Sequence, residues 1–236
     1  MLDDQNESFR TAANDLWIVI AAYNEAGMIA NTLAELRKSY RNVVVVSDGS
    51  TDETVQQAVA SGAVVLSHPI NLGQGAALQT GIDYALSRGA KFVCTFDADG
   101  QHRVSDIAVL LEQLKAQQAD IAFGSRFLGG SVNMPLRRKL IIKLGTIFNF
   151  LTTGILMTDA HNGLRVMTAD TARRIRIRQN GMAHASEIIE QVARLKLKLI
   201  EVPMVVIYSQ YSVAKGQRLG NSVNIALDVI GRKVQR

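Results

Sequence analysis

Apolar positions along the chain alternate between two rhythms. Residues 16–22 form an unbroken apolar run, and in 25–38 Ile29, Leu33 and Leu36 recur at the period of an amphipathic helix. Residues 42–46 are four valines behind one asparagine, the pattern of a strand buried on both faces. Ser50-Thr51-Asp52-Glu53 has the form of a capping box opening the next helix. The pattern then predicts strands at 63–66, 91–96 and 120–123, with helices at 74–87 and 105–117 between them. Strand and helix alternating at this pace predict an α/β fold, a mostly parallel sheet with helices on both faces. Ligands of such sheets sit at the carboxyl ends of the strands. The loops after 22, 46, 66 and 96 are therefore the places to look for chemistry.

The second half is less regular. A helix is predicted at 184–195, a strand at 199–207 and a closing helix at 221–234. Residues 136–157 are strongly apolar, but their longest uncharged run, 144–158, is 15 residues. A membrane-spanning helix needs about 20. A buried core helix or one lying in a lipid interface is expected instead. No Pro- or Ser-rich linker divides the chain. One domain over 15–236 is expected, with a first half to 125, a second from 126, and a frayed polar tail at 1–14.

Charge changes this picture more than composition does. Hydrophobic residues at 47% and charged ones at 20% are ordinary for a globular protein and leave no room for extensive disorder. The lone Cys94 cannot form an internal disulfide. Residues 1–120 hold 15 acids and 8 bases, whereas 121–236 hold 6 acids and 18 bases, together the net +5 of the chain. Within 121–158 there are five bases, Arg126, Arg137, Arg138, Lys139 and Lys143, and no acid. So polarised a chain presents a face to an anion: nucleic acid, membrane surface or phosphorylated substrate. Arg173, Arg174, Arg176 and Arg178 form a second basic cluster, either a solvated face or part of a membrane surface.

The sharpest chemical feature is Asp97-Ala98-Asp99-Gly100-Gln101, directly after an apolar strand. Two carboxylates two residues apart at a strand end need water or a cation, since burying both charges uncompensated is costly. A hard divalent ion that completes its shell with phosphate oxygens and water fits such a pair. A plain turn is the other reading. The same rim carries Ala22-Tyr23-Asn24-Glu25, Ser47-Asp48-Gly49-Ser50-Thr51-Asp52 and Asn71-Leu72-Gly73-Gln74-Gly75. Glu25 and Asp48 can accept from a base edge or a ribose hydroxyl, and Gly73 and Gly75 permit close backbone approach. A dinucleotide fold is excluded, because no G-x-G-x-x-G follows the first strand. His161, near Asp159, is a base, a ligand or a structural hydrogen-bonding group, while His68 and His184 join no cluster.

In this order the motifs resemble family 2 glycosyltransferases, and in particular the polyprenyl-phosphate sugar transferases of the dolichyl-phosphate mannose synthase type. The resemblance continues through Ser125-Arg126, the stretch from Asp159 to Arg165, and 208–217, covering roughly residues 15–235. It implies a GT-A fold and inverting, single transfer from a UDP- or GDP-sugar with Mg²⁺ or Mn²⁺. By resemblance Ala22, Tyr23, Asn24, Glu25, Asp48, Gly49, Gly73, Gly75, Asp97 and Ala98 hold the nucleotide-sugar. Asp97, Asp99 and Gln101 place the metal. Arg126 and Lys215 bracket phosphates, and Arg126 with Arg137 or Arg138 grips a polyprenyl phosphate. Asp159 orients the acceptor, or acts as base if the acceptor is a hydroxyl. The implied location is the cytoplasmic face of the membrane, with peripheral attachment or an integral-membrane partner.

Three departures affect nucleotide and acceptor identity: Ala21 where a proline is usual, Gln74 where a lysine is frequent, and Asn162-Gly163-Leu164 for Ser-Gly-Phe. The Q-x-x-R-W signature of processive synthases is absent, since the only tryptophan is Trp17. The same donor chemistry with a protein, polysaccharide or soluble sugar acceptor is the alternative. A nucleic-acid-binding module is a different class, but seven Phe and five Tyr offer no stacking platform, and paired acids at a strand end oppose it.

Overall fold

The computed structural model describes residues 14–215. The predicted closing helix at 221–234 lies outside them. Eight strands form one sheet: β1 (Leu16–Ala22), β2 (Val43–Asp48), β3 (Val64–His68), β4 (Phe92–Thr95), β5 (Ile121–Ser125), β6 (Gly130–Val132), β7 (Arg165–Thr168) and β8 (Leu199–Ile207), in the order β3-β2-β1-β4-β7-β5-β8-β6. Every pairing is parallel except those of β7, which runs against both β4 and β5. Its four residues were not predicted, because Arg165 interrupts the apolar run that marks the other central strands. The antiparallel β7 brings the 159–164 loop to the rim where its parallel neighbours end.

Period-two alternation builds two cores. Leu16, Ile18 and Ile20 face one side of the sheet, and Trp17 and Val19 face the other. On the first side pack α1 (Ile29–Leu36), α2 (Thr54–Ala60) and α4 (Val104–Ala116), through Ile29, Leu33, Leu36, Ala58, Ile107, Leu110 and Leu114. On the second lie α3 (Gln74–Ser87), α7 (Ala169–Arg174) and α8 (His184–Arg194), through Leu78, Ile82, Ala172, Ile188, Ile189 and Val192. A four-residue helix, α5 (Arg126–Gly129), follows β5.

Two expectations change. The predicted capping box does not form: no side chain at Glu53 caps α2, and Asp52 does the work from one residue earlier. Its Oδ1 accepts from Thr54 N (3.0 Å) and its Oδ2 from Ala26 N (3.1 Å), while Ser50 Oγ accepts from Asn24 N (3.1 Å). These residues stitch the loop after β2 to the loop after β1. Second, the apolar stretch is not a core helix. It forms α6 (Leu136–Thr153), in which only Ile142 and Asn149 are buried. Leu136, Leu140, Leu144, Ile147 and Leu151 are all exposed, Leu136 at 83% and Leu151 at 75%. Their spacing of three and four residues places them in one outward ridge. Among the described residues no helix is long and apolar enough to cross a membrane.

Candidate active site

The parallel strands end on one rim, which gathers the candidate residues of both halves. Asp97 and Asp99 lie on the turn after β4. Asp97 is a hub: Gln74 Nε2 from α3 donates to its Oδ1 (3.3 Å), and His102 Nε2 lies 3.1 Å from its Oδ2. Gly163 backs it. A Cβ there would stand 1.9 Å from Asp97 Oδ2, so only glycine lets the 159–164 loop pass behind the carboxylate. Burial alone would raise the Asp97 pKa, but the hydrogen bond and charge of His102 and the charge of Arg165 outweigh it and lower it. Asp99 shifts the opposite way, raised by burial and then by the charge of Asp97. Gln101 serves Asp99, donating to its Oδ1 from the backbone (3.1 Å) and to its Oδ2 from the side-chain amide (2.5 Å). The Gln101 carbonyl accepts from Ile207 N (3.0 Å), which ties this turn to the end of β8.

These carboxylates fit a hard divalent cation. They supply oxygen donors only, and a cation between them would remove the repulsion that raises Asp99. Among the described residues no group of three or more His, Cys, Asp or Glu gathers as a complete ligand set. A site built on two acids leaves positions for diphosphate oxygens and water.

The loops after β1, β2 and β3 are organised largely by their own contacts. Asp48 is buried; its Oδ1 accepts from Leu72 N (3.0 Å) and pairs with His68 Nδ1 (2.8 Å), and its Oδ2 accepts from Gly73 N (2.7 Å). His68 Nε2 in turn meets Thr80 Oγ1 (3.0 Å). His68 therefore does join a cluster, contrary to its sequence reading. Asp48 acts on the loop after β3, where the sequence reading gave it a base or ribose. Gly73 and Gly75 serve a close approach to protein backbone: Gly75 N donates to Asn180 O (2.7 Å), and a Cβ at Gly75 would meet Gln179 O at 2.0 Å. Gly49, with φ near +70°, sits against Ile70 and Asn71. Ala22 closes β1, Ala98 is buried between the two acids, and Tyr23 is 46% exposed. Asn24 Oδ1 accepts from Thr51 N (2.9 Å). Glu25 Oε2 accepts from the hydroxyl of Tyr211 on α9 (Gln210–Lys215), at 2.8 Å.

Replacing Asp48 by alanine would leave two part-buried N–H groups and His68 without their acceptor. A stability loss of about 1–3 kcal/mol is expected, together with a donor KM that rises more than kcat falls. Chemical denaturation and donor titration of the same variant check both. An unchanged midpoint would contradict the loop-holding role.

On the second half of the rim, Arg126 is buried and already engaged. Its backbone N (3.1 Å) and Nε (2.6 Å) donate to Asp159 Oδ2, and its Nη1 donates to the Tyr208 hydroxyl (2.6 Å). Asp159 is wholly buried, and its Oδ1 has no hydrogen-bond partner. Glu201 fixes the turn that carries it, accepting from Thr158 N (2.7 Å), Thr158 Oγ1 (2.8 Å) and Asp159 N (2.9 Å). Arg165, also wholly buried, is held to a pKa of about 10 by burial, against the opposing pull of Asp97 and Asp159. Burial pushes His161 and His184 down to about 4, so both are neutral imidazoles at neutral pH. His184 Nδ1 meets the Gly181 carbonyl (2.9 Å), whereas His161 Nδ1 lacks a partner, so no structural hydrogen bond forms at that nitrogen. Arg137 lies exposed on the first turn of α6, and the Arg138 guanidinium stands 5.0 Å over the Tyr208 ring. Lys215 ends α9, and its side chain lies outside the described residues. Arg174 pairs with Asp170 and Arg176 with Asp83, so half of the second basic cluster is a locally paired surface.

His102, Arg165, Glu201, Tyr208 and Tyr211 are the site residues that sequence reasoning did not weigh singly. For His102 a signal existed, one residue beyond Gln101 in the same turn. Glu201 and Tyr211 reach the site only through tertiary packing.

A rim of this kind, with paired carboxylates after the fourth strand and one reversed central strand, is that of a GT-A glycosyltransferase. The chain belongs to glycosyltransferase family 2, whose model, described as Glycosyl transferase family 2, matches residues 17–176. It is 32% identical over 224 residues to a UDP-N-acetylglucosamine–dolichyl-phosphate N-acetylglucosaminyltransferase of Methanococcus voltae, covering 85% of this chain and 89% of that protein. It is also 32% identical over 209 residues to an undecaprenyl-phosphate mannosyltransferase of Micrococcus luteus, covering 84% and 85%. Glucosyl-3-phosphoglycerate synthase of Mycobacterium tuberculosis, crystallised with Mn²⁺ and UDP-glucose, shares the fold. Its TM-score is 0.73 at 17% identity, over 95% of this chain and 80% of that one.

Proposed function

We propose that this glycosyltransferase moves one sugar, with inversion, from a nucleotide-diphospho-sugar to a polyprenyl phosphate at a membrane surface. The observation that carries the reading is α6: an outward apolar ridge flanked by Arg137, Lys139 and Lys143, on a helix whose Gly145 lies against His161 of the 159–164 loop. A polyprenyl phosphate has the same two features, an anionic head and an apolar tail. A helix of this build lies in a lipid interface, with its bases at the headgroups. The two relatives named above act, by their names, on lipid phosphates.

Within this reading Asp99 and Asp97 hold a divalent ion, with Gln101 fixing Asp99. When bound, the ion stabilises the charge that the departing diphosphate gains. The loops ending β1, β2 and β3 frame the nucleoside, with Tyr23, Asn24 and Glu25 nearest it and Asp48 bracing them. Arg126, Arg137 and Arg138 serve the acceptor phosphate, where guanidinium groups hold two oxygens at once. A phosphate monoester has its second pKa near about 6. Its attacking oxygen is therefore already ionised and needs no strong base. Asp159, sealed behind Arg126, is then the counter-ion that orients this arginine.

Flotation with anionic liposomes tests the proposal. Arg137→Glu combined with Lys139→Glu spares Arg138, which packs on Tyr208. At about 1 kcal/mol per basic residue near an anionic surface, binding should fall roughly thirtyfold or more, and lipid-acceptor turnover should fall with it. Added salt should weaken wild-type binding as well. Full turnover on a short water-soluble acceptor, with no liposome binding at low salt, would leave only the nucleotide-sugar half of the proposal standing.

A further inference from the structure

One short segment touches both halves of the rim. Beyond β8 the chain runs through Tyr208 to Tyr211, two tyrosines three residues apart. Tyr208 is buried, its backbone N donates to Val132 O (3.1 Å), and its hydroxyl accepts from Arg126 Nη1 (2.6 Å). The Tyr211 hydroxyl donates to Glu25 Oε2 (2.8 Å), and its ring fits over Gly27, where a Cβ would stand 2.9 Å from Cε2. Between them Ser209 and Ser212 bond reciprocally. Ser209 N donates to Ser212 Oγ (3.0 Å), Ser212 N to Ser209 Oγ (3.1 Å), and Ser212 Oγ to Ser209 O (3.1 Å). These three bonds make residues 208–212 one stiff unit, so a displacement at Tyr211 is felt at Tyr208.

We propose that residues 208–212 are a strap that couples the donor site to the acceptor arginine. Tyr211 holds Glu25, and Tyr208 holds Arg126. Entry of the nucleoside displaces the Tyr211 hydroxyl from Glu25, and the rigid strap carries Tyr208 off Arg126. The guanidinium then turns from an internal partner to the incoming phosphate. The inference rests on the assignment of Glu25 to the nucleotide. Charge supports its direction: the Tyr211 hydroxyl lies among Glu25, Asp52 and Asp99, and burial and these acids raise its pKa, so it stays a protonated donor that must yield when another donor arrives.

The test measures the affinity of UDP and of GDP, each with Mn²⁺, by calorimetry. Tyr211→Phe removes the competing bond, so the nucleotide that wild type prefers should bind about tenfold tighter. Tyr208→Phe touches Arg126 and no nucleotide loop, yet it frees the other end of the strap and should also tighten nucleotide binding, by about threefold. In the wild type, saturating nucleotide should speed hydrogen exchange across 205–212. Unchanged or weaker binding by Tyr211→Phe makes Tyr211 an ordinary pocket residue and overturns the strap. So does nucleotide binding without faster exchange, and an unchanged affinity in Tyr208→Phe overturns the coupling. Wild type that binds neither nucleotide would instead overturn the donor reading beneath it.

Discussion

Asp99→Ala is expected to abolish transfer while leaving the fold intact. The Asp99 carboxylate has its described partners within its own turn, the backbone and amide of Gln101, and burial and the Asp97 charge raise its pKa. Removing it deletes a repulsion but also the acceptor of two Gln101 donors, all within one turn, so the melting temperature should change little. Activity is another matter. A cation acting as Lewis acid on a departing diphosphate contributes several kcal/mol to the transition state. At 1.36 kcal/mol per tenfold in rate, its loss is roughly a thousandfold or more. Asp97→Ala should behave differently. It releases Gln74 and His102 and strips a counter-charge from the buried Arg165, so stability and activity should fall together. Melting curves beside Mn²⁺ titrations in the presence of nucleotide separate the two variants. Full activity of Asp99→Ala in excess EDTA would end the metal assignment.

The contrast between these acids shows what the sequence could and could not carry. The parallel strands β1 to β5 were legible because each carries a run of three to seven apolar residues, and alternate positions feed two cores, whereas the three-residue β6 carries no such run. Strand β7 was not, since a buried arginine at its first position breaks that rule. Asp97 and Asp99 were legible as a pair, because position relative to a strand end is a local property. The full set of partners around Asp97 was not, because Gln74 and Gly163 reach it from two separate segments. The same holds for Asp48. Its place at the end of β2 is written in the sequence, but its service to the loop after β3 depends on chain 24 residues away. On α6 the outward ridge follows from spacing alone, yet spacing cannot say which side of a helix faces the protein. Only packing against α8 and burial of Ile142 and Asn149 decide that.

Asp159 is where the structure most changes the chemistry expected, and its replacement should have the largest effect on stability. The sequence reading made it an orienting group or a base. In the fold it is wholly buried, bonded through one oxygen to the Arg126 backbone and guanidinium, and clamped from behind by Glu201 through the turn. Truncating one member of a buried ion pair typically costs about 3–5 kcal/mol, because the partner keeps its charge without compensation. Here two arginines, Arg126 and Arg165, lose that charge. Asp159→Ala should therefore unfold at markedly lower urea concentration than wild type. Asp159→Asn preserves shape and one acceptor for the Arg126 N–H groups, but not the charge, so it should recover part of the loss. Kinetics then separate the two roles. A counter-ion predicts an Asn variant with a raised KM for the acceptor phosphate and an unshifted pH profile, since no proton passes through residue 159. A base predicts wild-type stability, an unchanged KM, a collapsed kcat and the disappearance of the acidic limb of the profile. That second pattern would return Asp159 to the chemistry and would point to a hydroxyl acceptor, in place of a phosphate already ionised when it arrives.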